Sequence, residues 1–144
     1  MEILHPAAGT GYRGNNASCV LRISQGRYTL LLTGDIEKTV EQELLSEMRG
    51  KLHADVLVAP HHGSMTSSTP AFIDAVNPAA VLFATGYRNR FGFPKQDIIS
   101  RYQSRGIVTL ETDRSGALEV ESSAAGLKIS RYRELHRRFW NWND

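Results

Sequence analysis

A single cysteine, Cys19, stands in the whole chain, so no disulfide can form within it, and its place in a β-rich run predicts a buried, inert thiol. Long apolar runs are also missing. The longest, such as Tyr28 to Leu32 and Val81 to Ala84, fall far short of the about 20 apolar residues a membrane-spanning helix needs, which predicts no membrane span. Met1 to Pro6 has neither a basic segment nor an apolar stretch, so no signal peptide is expected and the isolated chain reads as cytoplasmic. Charge of one sign is scarce too: the formal net charge is +2 over 144 residues, too little to require a polyanionic partner. What remains is ordinary globular material, 41% hydrophobic and 22% charged, enough for one domain with one core.

The order of elements predicts an α/β (α+β) fold with a mixed sheet flanked by helices. Residues 1–17, rich in Gly, Pro and Asn, read as a loop leading into the first strand. Residues 18–24 and 27–33 read as a hairpin turning at Gln25-Gly26. Ile36, Val40, Leu44, Leu45 and Met48 recur at helical spacing, with Gly50 as the expected C-terminal cap. Val56 to Ala59 is a short strand that ends in the polar run Pro60-His61-His62-Gly63-Ser64-Met65-Thr66-Ser67-Ser68. Thr69-Pro70 opens a helix that Asn77-Pro78 stops. Ala80 to Ala84 is a buried strand. After a loop over 86–94, Pro94 opens a helix with Ile98, Ile99 and Tyr102 inward and Gly106 beyond its end. Strands over 107–111, 117–121 and 127–132 finish the pattern.

Two of these strand ends carry chemistry. Sites in layered α/β proteins gather where strands give way to loops, and here one end delivers Asp35 and another His61 and His62. Carboxylate and imidazole are ligands for zinc, manganese and similar divalent ions. Asp35 reads either as a ligand or as an N-cap of the following helix, and one of the two histidines either binds or orients the other. Ser64, Thr66, Ser67 and Ser68 suit phosphate binding or helix capping. His5 lies in the leading loop, His53 reads as exposed, and His136 lies in the basic tail. That tail, residues 128–144, interleaves Arg131, Arg133, Arg137 and Arg138 with aromatic residues including Trp140. The pattern suits nucleic-acid contact, or packing of the rings with the arginines reaching into water.

The runs Asn16-Ala17-Ser18-Cys19-Val20-Leu21, Leu31-Leu32-Thr33-Gly34-Asp35-Ile36-Glu37 and Ala59-Pro60-His61-His62-Gly63-Ser64, followed by Asn89-Arg90-Phe91-Gly92 and Thr112-Asp113-Arg114-Ser115-Gly116, occur in the order found in ComEC-type DNA-uptake channel proteins. The chain resembles the C-terminal half of their metallo-β-lactamase-like domain, as a single partial domain over residues 1–144. The resemblance implies half of an αββα sandwich in which metal ions activate water to attack a phosphodiester. Asp35 would bridge the metals, and His61, with His62 as the alternative, would supply a late ligand. Ser64, Ser67, Ser68, Asn89 and Arg90 would meet substrate. The resemblance assigns no residue of this half a catalytic role beyond binding metal and substrate.

The family's larger ligand set, a His-x-His-x-Asp-His cluster, does not occur here, so the isolated chain is expected to hold zinc or manganese weakly or not at all and to be inactive alone. Phe93 also departs from the family, whose Asn-x-x-Gly-His-Pro motif carries a histidine at that place; either a substrate contact is lost or Phe93 caps the helix beginning at Pro94. The implied partners are DNA and the missing N-terminal half or the parent membrane channel. The parent would lie in the inner or plasma membrane with this domain outside the cytoplasm. A sheet face left bare by the missing half is expected to favour association or dimerisation. The alternative is a non-catalytic nucleic-acid-binding or interaction fragment of the same fold.

Overall fold

The computed structural model describes residues 1–7, 9 and 11–136. Its centre is a six-stranded sheet in strict chain order: β1 (Glu2–His5), β2 (Val20–Gln25), β3 (Tyr28–Leu32), β4 (Val56–Val58), β5 (Ala80–Phe83) and β6 (Val108–Glu111). The first three pair antiparallel, and β3 through β6 run parallel, so the sheet is mixed. Parallel neighbours need crossovers. These are the helices α1 (Lys38–Glu47), α2 (Pro70–Val76) and α3 (Gln96–Gln103). A short helix α4 (Thr112–Ser115) leads to a separate hairpin of β7 (Leu118–Ser123) and β8 (Gly126–Arg131), followed by α5 (Tyr132–Leu135). Among the described residues no helix is long and apolar enough to cross a membrane.

All three crossover helices pack on one face. Val40 and Leu44 of α1, Phe72, Ile73 and Val76 of α2, and Ile98, Ile99 and Tyr102 of α3 share a core with Leu31, Leu57, Val81 and Phe83 of the sheet. Fully burying such side chains contributes about 1.5–3 kcal/mol each, which makes this face the main source of stability. On the opposite face Val56, Leu82 and Leu110 are buried under Leu118, Val120, Leu127 and Ile129 of the β7–β8 hairpin. The face expected to stand bare is thus covered over its middle. Ile3 and Val108, on the two edge strands, remain 61% and 53% exposed.

Several sequence expectations change. Residues 1–17 are not all loop: Glu2–His5 forms an edge strand on β2, too short for its periodicity to show. His5 is buried, bonded through Nε2 to the Asn16 carbonyl and packed against the Tyr12 ring, rather than solvated. Cys19 is exposed, because Val20 takes the inward direction and neighbouring strand positions alternate. The hairpin turns at Gly26-Arg27, one residue later than expected, since Gln25 pairs with Tyr28. Helix α1 ends at Glu47 with Met48 as C-cap, so Gly50 lies in a 3-10 turn and caps nothing. Helix α3 begins at Gln96 with Lys95 as its N-cap, so Phe93 does not cap it. In contrast, α2 follows its signals: the Thr69 hydroxyl accepts from Phe72 N–H, Pro70 is first, and Asn77 closes the helix in the left-handed region.

Candidate metal and substrate site

Parallel pairing of β3 with β4 matches Leu32 to Val58, so the loops leaving both strands emerge side by side. They are stitched together at once. His61 N–H donates to the Gly34 carbonyl at 3.0 Å, and the Thr33 hydroxyl donates to the Val58 carbonyl at 2.8 Å. Gly34 turns with φ 54°, and a Cβ there would stand 2.7 Å from Ser18 Cβ, so only glycine fits. The Ser18 hydroxyl in turn accepts from Asp35 N–H. Glu37, not Asp35, is the N-cap of α1, which leaves the Asp35 carboxylate free of a capping role.

The histidine loop is backbone-strained. His61 (φ 48°, ψ 40°) and His62 (φ 55°, ψ 19°) both occupy the left-handed region, followed by Gly63 at φ 85° and, farther on, Ser68 at φ 55°. Such conformations cost of order 1–3 kcal/mol each for residues other than glycine and persist only where the surroundings fix them. The surroundings do so here. A Cβ on Gly63 would lie 2.6 Å from Pro94 Cβ, and the Gly63 carbonyl accepts from Lys95 N–H. The Ser67 hydroxyl donates to the Pro60 carbonyl. At the far end the buried Glu41 carboxylate accepts from Ser68 N–H at 2.6 Å and Thr69 N–H at 2.9 Å. Arg101 donates to the Ser68 carbonyl and the Tyr102 hydroxyl to Ser68 Oγ. Burial pushes the Glu41 carboxyl above its ordinary range, against these bonds and the nearby Arg101 charge, which pull it down.

The result is two facing pairs. His62 Nε2 lies 3.3 Å from Asp35 Oδ1, with both side chains open to solvent, and His61 Nδ1 lies 3.4 Å from Glu37 Oε1. The His61 ring is tied further: Nδ1 is 3.1 Å from the Thr66 hydroxyl, which itself donates to Glu37, and Nε2 is 3.4 Å from the Asn15 side-chain nitrogen. Two ligands about 2.0–2.1 Å from a tetrahedral zinc stand roughly 3.3 Å apart, so the Asp35–His62 pair has the spacing of two vertices of such a site. Among the described residues, no three His, Cys, Asp or Glu side chains converge on one point. Glu37 and Asn15 escaped attention in the sequence because nothing in their spacing ties them to a histidine loop so far along the chain.

The other expected contacts divide. Ser64 is buried, its hydroxyl beside that of Thr66, and Ser67 and Ser68 are buried with hydroxyls committed to internal bonds. Asn89 clamps its own loop, donating to the Phe93 carbonyl and accepting from Phe93 N–H. Arg90 is exposed, with its guanidinium 4.9 Å from the centre of the Phe91 ring. Phe93 sets its ring edge-on to His61 at 5.8 Å, so that loop borders the site. In the tail, Arg131 pairs with Glu134, and Arg133 donates to the carbonyls of Asp113 and Arg114. Arg137, Arg138 and Trp140 lie outside the described residues. His53 is exposed and bonded to the Val76 carbonyl, and His136 stacks on Tyr132.

Over 139 residues the chain is 37% identical to Competence protein ComA of Neisseria gonorrhoeae, covering 96% of this chain and 20% of that protein. It is 35% identical over 118 residues to ComE operon protein 3 of Bacillus subtilis, covering 82% of this chain and 15% of that one. The chain is related to competence proteins. A further relative is YcaI of Escherichia coli, 38% identical over 139 residues that cover 95% of this chain and 18% of YcaI. The chain therefore spans about a fifth or less of the length of these three relatives. No family model matches it.

Proposed function

We propose that this chain is the C-terminal half of a metallo-β-lactamase-like hydrolase domain within a DNA-uptake competence protein, and that Asp35 and His62 contribute two ligands to a divalent ion, zinc or manganese. The observation that carries the reading is the 3.3 Å separation of His62 Nε2 and Asp35 Oδ1, held by two stitched strand ends and a pinned loop. A bound ion of this kind supplies a water deprotonated near neutral pH for attack on a phosphodiester. His61, engaged with Glu37, Thr66 and Asn15, orients the loop and is the second imidazole in reach. Catalytic zinc sites use three protein ligands plus water. The remaining ligands then come from the part of the parent protein that this chain does not cover, and the chain alone is inactive.

The test has two arms. Zinc titration of the 144-residue chain should give weak binding that Asp35→Ala and His62→Ala each abolish. Joining the chain to a complementary half that carries a His-x-His-x-Asp-His cluster should give zinc- or manganese-dependent DNA cleavage. Zinc binding or cleavage indifferent to Asp35→Ala refutes the proposal.

A further inference from the structure

Between Asp74 and Asp97 the chain has no acidic residue, and the loop beside the histidines concentrates positive charge and rings. Tyr87 and Phe91 are 62% and 57% exposed, far more than large rings usually are in a folded domain. Each carries a guanidinium over its face: Arg88 at 5.2 Å from the Tyr87 centroid and Arg90 at 4.9 Å from that of Phe91. Neither arginine has a carboxylate partner among the described residues. Arg88 also sits at φ 51°, a left-handed conformation in a loop whose other end Asn89 clamps. The rings continue inward. Phe91 stacks on Phe93 at 5.6 Å with 19° between planes, and Phe93 meets the His61 ring edge-on.

We infer that this loop is a stacking clamp for unpaired nucleotides, in which bases displace the guanidinium groups from the faces of Tyr87 and Phe91 and the freed Arg88 and Arg90 take the phosphates between them. The inference rests on the phosphodiesterase reading above, since it delivers a backbone phosphate toward His61 and its neighbours. Exposed flat rings favour bases that are free to unstack, and a duplex offers none. Every base has a π-face, so the clamp selects strandedness rather than sequence. Cations without a carboxylate to neutralise them supply the sequence-independent attraction to phosphate. Phe93, where the resembled family has a histidine, extends the row of rings instead of contributing a polar group.

The experiment is fluorescence anisotropy of the chain with a short labelled oligothymidylate, the matching oligouridylate and the corresponding duplex, all in the presence of a chelator. Binding without metal separates this inference from the proposed metal chemistry, because zinc titration reports on the one and anisotropy on the other. Single strands should bind well above duplex. Phe91→Ala and Tyr87→Ala should each weaken binding about tenfold, while Phe91→Trp retains it and Phe91→Leu does not. Arg88→Ala with Arg90→Ala should lower the salt dependence by roughly one unit of slope or more. The two single strands tell a DNA-selective clamp from a general one. Equal affinity for duplex, or unchanged affinity in Phe91→Ala, overturns the inference.

Discussion

Glu41 is the residue whose removal should most disturb the histidine loop without touching either histidine. Its carboxylate is fully buried and satisfies two backbone donors, those of Ser68 and Thr69, where the strained loop joins helix α2. Hydrogen bonds to a charged group contribute about 1.5–3 kcal/mol each, and donors left buried without a partner cost about 1–3 kcal/mol each. Glu41→Ala should therefore destabilise the chain by about 3–5 kcal/mol, a large share of the stability of an ordinary domain. Glu41→Gln keeps the shape and one acceptor but sets an NH2 group against a backbone N–H, and should cost about 1–3 kcal/mol. Urea unfolding monitored by circular dichroism measures both. The pH dependence adds a sign. Burial raises the folded-state pKa above the ordinary value of 4.5, so the folded chain holds this proton more tightly than the unfolded one. Glu41's contribution is then most favourable below about 4.5 and is lost as pH rises through the raised folded value. The stability gap between wild type and Glu41→Gln should widen as pH falls toward 4.5. A Glu41→Ala cost below about 1 kcal/mol refutes the anchoring argument, and a gap that narrows on acidification refutes the dominance of burial over the hydrogen bonds in setting the Glu41 pKa.

Three further substitutions, one of them a control, separate strain from function. Gly63→Ala places a Cβ 2.6 Å from Pro94 Cβ and 2.9 Å from the Phe83 ring at φ 85°, and should lower stability by about 3 kcal/mol or more in the same unfolding assay. Gly50→Ala, with open space around it and no positive φ, is its near-neutral control. His62→Gly relieves a left-handed histidine that is half exposed and, among the described residues, has Asp35 as its polar partner. It should raise stability by about 0.5–1 kcal/mol while removing the response to zinc, the trade expected where strain serves a site.

Much of this was legible in the residues. The caps of α2 are chemical signals confined to a few neighbours, and Thr69, Pro70 and Asn77 all act as their types dictate. The inward set Ile98, Ile99 and Tyr102 follows helical period, and all three are buried. Asp35, His61 and His62 stood out as polar residues at the ends of apolar strands, and the structure sets His62 against Asp35. What was hidden depends on distant partners. Glu41 neighbours the apolar stripe of α1 and reads as a surface glutamate, yet its donors lie in a loop beyond β4. Ser67 and Ser68 look like exposed hydroxyls until Pro60 and Tyr102 are seen to consume them. Which histidine faces Asp35 could not be read from strand alternation, because both lie in the left-handed region and not in a strand.

That last point bears on why the loop is built as it is. A strand continued through Pro60 would send His61 and His62 to opposite faces of the sheet. Two successive left-handed residues turn the chain sharply just beyond the C-terminal end of β4 instead, so that His62 reaches the Asp35 carboxylate and His61 reaches Glu37. The turn is unfavourable alone and is tolerated because both its ends are fixed, one by Gly34 in the loop leaving β3 and the other by Glu41 on α1. The carboxylates at 35 and 37 and the anchor at 41 thus lie on one continuous stretch running from the end of β3 into α1. A single chain segment both positions the acidic partners of the histidines and clamps the loop that presents them, so loosening α1 should disturb both pairs together.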